Sequence, residues 1–78
     1  MNERSTRRLS PKKLLLSKWT AANPRNKEMH FLVTKVIRAK PHITAIESIE
    51  LEAVLTRRIY TLPWRELNDS SQWLQGWQ

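Results

Sequence analysis

From His30 to Ala39 the chain reads HFLVTKVIRA, and no other run constrains the fold as tightly. Phe, Val, Thr and Ile suit a pleated surface. In an extended chain Phe31, Val33 and Ile37 fall on one face and Leu32, Thr34 and Val36 on the other. Apolar groups on both faces predict a strand covered on both sides. Lys40-Pro41-His42 then ends it.

Other segments fit around that strand. Leu14 to Ala22 reads as an earlier strand, stopped by the turn-forming cluster Asn23-Pro24-Arg25-Asn26. Between Glu47 and Thr56, Ile49, Leu51, Ala53 and Leu55 recur at period two with Glu50 and Glu52 between them, which a half-buried strand requires. A helix is the alternative there, because Ile46, Ile49 and Ala53 would share a helical face. The longer alternation favours the strand. Ile59 to Trp64 predicts another, with Tyr60, Leu62 and Trp64 on one face. Thr56-Arg57-Arg58 is its tight connection, and Pro63 marks a strand end or a sheet edge. At the C-terminus, Asp69 with Gln72 resembles a capping box, which predicts a short helix over 70–75 stopped by Gly76. Trp73 and Trp77, four apart, would both fold back over the sheet.

Charge divides the chain. The formal net charge is +7. Residues 1–27 hold Arg4, Arg7, Arg8, Lys12, Lys13, Lys18, Arg25 and Lys27 against Glu3, so the whole excess lies there. Six basic residues balance six acidic ones from Glu28 onward. Residues 1–13 contain few large hydrophobes and read as a mobile basic arm on a single domain of residues 14–78. Leu14, Leu15 and Leu16 are too short a run for a secretory signal, so the expected location is cytoplasmic, without membrane insertion.

Catalytic chemistry finds little support. No Cys is present, and His30 and His42 are the only histidines, so neither a thiolate nucleophile nor a metal site is expected. The single Gly excludes a glycine-rich phosphate loop, and no cofactor is implied. Glu50 and Glu52 fit pairing with arginines better than acid–base work. A thin core also leaves little room for a buried pocket of about 300 Å³ or more. The chain reads as non-enzymatic.

Binding chemistry is better represented. Lys18, Arg25, Lys27, Arg57 and Arg58 are candidates for a phosphate-neutralising surface. Trp64 and Trp73 suit the core, where a small domain needs large side chains. Trp19, beside Lys18, is the tryptophan expected to be exposed and to stack on bases. Leu74 and Trp77 would serve the alternative, a surface that docks an acidic protein or pairs at a sheet edge.

Several stretches carry a resemblance. They are Ser17-Lys18-Trp19-Thr20-Ala21 with Pro24, then HFLVTKV over 30–36, EAVLTRR over 52–58 and WREL over 64–67, leading to WLQGW over 73–77. With these the chain resembles a family of small tryptophan-rich bacterial proteins of uncharacterised function. The resemblance implies a complete small domain and no particular activity, ligand or catalytic residue.

The expected fold is mainly β: a small twisted antiparallel sheet of three to five strands, closing by analogy as an SH3-like barrel, with a short C-terminal helix. The expected function is a non-catalytic binding module, with RNA or a ribonucleoprotein as the first-ranked partner and protein docking as the rival.

Overall fold

The computed structural model describes residues 9–38, 40 and 45–78. Among the described residues, five strands form one antiparallel sheet: β1 (Lys18–Arg25), β2 (Glu28–Arg38), β3 (Ile46–Ala53), β4 (Ile59–Pro63) and β5 (Trp73–Gln75). Their order is β4-β3-β2-β1-β5, so the first four make a meander and the last returns to the edge of the first. Short 3-10 turns occupy Pro11–Lys13 and Trp64–Asn68.

The 47–56 segment is a strand over Ile46–Ala53, with Ile49, Leu51 and Ala53 buried. Its glutamates alternate with them and stay partly exposed. The run from His30 is also a strand as far as Arg38, but its faces differ from simple alternation. A bulge falls between Val33 and Lys35 in the pairing with β3. The extra residue reverses parity, so Val36 rather than Ile37 joins Phe31 and Val33 against the core.

The first strand starts and ends later than expected. Leu14 precedes it as a buried plug, while Leu15 and Leu16 are exposed. Asn23-Pro24 does not stop β1, because the pairing with β2 shifts between Thr20 and Arg25. Pro24 sits within that irregularity, where no ladder N–H is demanded of it. Pairing resumes at Arg25 opposite Glu28, and the turn is Asn26-Lys27, both at positive φ (56° and 62°). This is a type I′ arrangement, whose twist suits a two-residue hairpin. The second hairpin turns through residues 54–57, and Arg57 at φ 68° returns the chain to β4. Pro63 ends β4, which is an edge strand.

The expected C-terminal helix is absent, and Trp73–Gln75 is a strand instead. Asp69 does accept bonds from Ser71 N (3.0 Å) and Ser71 Oγ (2.5 Å) through its carboxylate. The Asp69 carbonyl also accepts from Gln72 N and Trp73 N (both 2.9 Å), and the chain leaves this single turn as a strand. Local capping is then outweighed by the open edge of β1, where Trp19, Thr20 and Ala21 pair with Gln75, Leu74 and Trp73. Gly76 takes the expected left-handed conformation (φ 78°), but it ends a strand rather than a helix. The described residues form an open sheet, with β4 and β5 at its two edges.

The core lies on one face: Leu14, Trp19, Phe31, Val33, Ile49, Leu51, Ala53 and Leu67. Leu14 and Leu67 come from beside and within the two 3-10 turns and cover the sheet. Leu9 also packs there, so packing reaches into the segment read as the arm. Residues 1–8 of that arm lie outside the described residues.

Candidate nucleic-acid interface

In an antiparallel meander, alternate turns lie at the same end of the sheet. The β1–β2 and β3–β4 turns therefore converge, and they carry Arg25, Lys27, Arg57 and Arg58, all exposed. Glu28 ties the two turns together. Only 4% exposed, it accepts hydrogen bonds from Thr56 Oγ1 and from Tyr60 Oη (2.5 Å). The Thr56 and Tyr60 hydroxyls, with the nearby Arg58 guanidinium, hold the Glu28 carboxyl below the usual carboxylate range despite burial. The same bond, together with burial, raises the Tyr60 phenol above its ordinary value. Arg57 donates to Glu52 Oε2 at 3.0 Å. The end thus presents four cations against two carboxylates.

Lys18 does not join this cluster. It projects from the start of β1, and its Nζ lies 4.8 Å from the centre of the Trp77 ring. Trp19 is not at the surface either: it is 2% exposed and belongs to the core. Lys18 and Trp19 are neighbours on a strand, so one side chain must point out and the other in. The Trp19 indole N–H is satisfied by Ser17 Oγ (2.8 Å), which in turn donates to Leu14 O. The exposed tryptophan is Trp77, at 44%.

Trp73 and Trp77 lie on opposite faces. Trp73 packs against the core, with its ring at 88° to Phe31 and 5.2 Å away. After Gly76, Trp77 folds over the other face, where its indole N–H donates to Phe31 O (3.0 Å). Thr20 donates to Gly76 O and accepts from Gln78 N, which buries its hydroxyl under this segment. Leu74, opposite Thr20, is exposed on the same side.

Sequence reasoning missed a concavity on the core face. On the core face, beside the basic end, an open groove of about 420 Å³ is lined by Ala21, Asn23, Arg25, Asn26, Glu28, Phe31, Leu51, Tyr60, Leu62, Gln72 and Trp73. Phe31 lies edge-on to Tyr60 as well as to Trp73 (63°, 6.1 Å). A thin core does not prevent this volume, because the groove is not buried: a one-layer sheet leaves part of its apolar face open. The irregularity in β1 brings Asn23, Arg25 and Asn26 to the rim. The one available sequence signal was the Tyr60–Leu62 alternation on a strand that Pro63 marks as an edge.

The fold is all-β among the described residues, one open antiparallel sheet with polar, basic turns at one end. A family model described as "Tryptophan-rich protein (DUF2389)" matches residues 17–78, and the chain belongs to that family. No curated protein and no solved structure matches the chain. Among the described residues, no helix is long and apolar enough to cross a membrane.

Proposed function

We propose that this protein is a non-catalytic, cytoplasmic binding module for nucleic acid, RNA or a ribonucleoprotein. The observation that carries the reading is the convergence of Arg25, Lys27, Arg57 and Arg58 from two turns at one end of the sheet. Clustered cations of this kind neutralise phosphates and release counterions, giving affinity that does not depend on sequence and falls with salt. We also read the connectivity as an SH3-like barrel left open, since β5 follows a single 3-10 turn and pairs with β1.

Filter binding of single-stranded RNA across a salt series tests the function. Four phosphate contacts correspond to a slope of log affinity against log salt near −3, at about 0.7 per contact for single strands. Arg57→Ala with Arg58→Ala should halve that slope. No binding at low salt, or indifference to the double substitution, rejects the proposal.

The rival is protein docking at the β5 edge, where Leu74 and Trp77 are exposed on one side. A lysate pull-down with and without nuclease separates the two. A partner set that survives nuclease and is lost with Leu74→Ser favours docking.

A further inference from the structure

We propose that the groove between Tyr60 and Trp73 is a slot for one unpaired nucleobase, an inference that rests on the nucleic-acid reading above. Phe31 makes an angled ring contact with each of them, 63° and 6.1 Å to Tyr60 and 88° and 5.2 Å to Trp73, which fixes both rings against the core. The Tyr60 ring is further held by its hydroxyl, which donates to Glu28 at 2.5 Å. Preset aromatic walls are what a planar, polarisable ligand requires, and every base offers an aromatic face to them.

The rim selects among planar or apolar occupants. Asn26 and Gln72 line the groove, and both are exposed at its rim. A carboxamide offers donor and acceptor together, matching the edge of a base, whereas an aliphatic side chain would use neither. Glu28 does not make this a cation site, because Thr56 and Tyr60 already engage both of its oxygens. Arg25 on the rim and Arg58 beside Glu28 leave the surroundings positive, which suits the phosphate attached to a base. The charge cluster and the slot are thus adjacent parts of one interface, the first positioning the backbone and the second holding a base.

The test compares a uridine oligoribonucleotide with an abasic strand of the same length, both titrated into the full chain at low salt. Intrinsic tryptophan fluorescence and filter binding provide the readouts. The expected result is about tenfold tighter binding of the base-bearing strand, the scale of one stacked base. Tyr60→Leu should remove most of that ratio, and Gln72→Ala with Asn26→Gly should cut it about threefold without altering affinity for the abasic strand. Asn26→Gly retains the positive φ the turn needs, so this pair keeps the test valid should Tyr60→Leu fail to fold.

Equal binding of the two strands overturns the slot while the phosphate-binding function stands. No binding of either strand overturns both. Tryptophan fluorescence that responds to an apolar peptide and not to the oligonucleotide also overturns the slot, and assigns the groove to protein.

Discussion

Lys18 and Trp77, far apart in the chain, meet on the outer face of the sheet with the ammonium 4.8 Å from the ring centre. The Trp77 indole N–H is anchored on Phe31 O, and His30 flanks the ring at 5.9 Å. This contact uses a basic residue for structure that its neighbourhood in sequence would assign to ligand binding. Lys18→Met should therefore lower stability by about 0.5–1 kcal/mol, the size of an exposed cation–π contact. RNA affinity and its salt slope should not change. Urea unfolding and filter binding of the same sample check both.

The two extreme tryptophans should respond in opposite ways to a quencher. Trp19 is enclosed by the core and Trp77 is nearly half exposed. Acrylamide should quench a variant whose other tryptophans are Phe and which retains Trp77, and largely spare the corresponding Trp19 variant. Trp19→Ala should cost about 3–5 kcal/mol, enough to unfold much of so small a domain.

Lys27 should trade stability against binding. It stands at the second position of a type I′ turn with φ 62°, where Gly is favoured. Lys27→Gly should raise stability by about 1 kcal/mol, since a side chain in the left-handed region is costly. The same change removes one cation, so the salt slope for RNA should become shallower by about 0.7. Thermal melts and a salt titration provide the two readouts.

The Glu28 bonds make stability depend on pH in two windows. Its folded carboxyl titrates below the ordinary Glu value, because Thr56 and Tyr60 donate to the ionised form. Its contribution is complete above the unfolded value, near 4.5, and is lost as pH falls through the lower folded one. Tyr60 is raised, so its contribution is present below the unfolded value near 10 and is lost as pH rises through the folded one. Glu28→Gln should flatten the acid limb of a stability–pH curve, and Tyr60→Phe the alkaline limb.

Arg57 combines strain with an ion pair. Its φ of 68° penalises any side chain, and its bond to Glu52 lies at the surface. Glycine and alanine both lose that pair, so they differ only in the left-handed strain, about 1–2 kcal/mol for a residue with a Cβ. Arg57→Gly should thus be more stable than Arg57→Ala by about 1 kcal/mol in chemical unfolding.

The strand content was legible because it depends on local patterning. Ile49, Leu51 and Ala53 alternate with charged residues, and burying one face of that alternation permits one conformation. HFLVTKV was equally readable as a strand, yet its faces were not, since the bulge after Val33 arises from pairing with β3. The 70–75 segment shows the reverse case. Asp69 does form its local turn, but an unpaired edge on β1 captured the residues that follow.

Of the candidate interface, Arg25, Arg57 and Arg58 were visible as charged residues in turn-forming segments and Lys27 as a basic residue beside them, whereas Lys18 and Trp19 were misplaced by their adjacency. By itself, the sequence determined the mainly β class and the left-handed Gly76, because these follow from side-chain period and backbone freedom, and its motif stretches carried the family. Only the tertiary structure decided that two turns share an end, that Trp73 and Trp77 take opposite faces, and that Phe31, Tyr60 and Trp73 frame a groove. The physical reason is that strand pairing joins residues distant in sequence: its register sets which face each side chain takes, and no local signal carries that register.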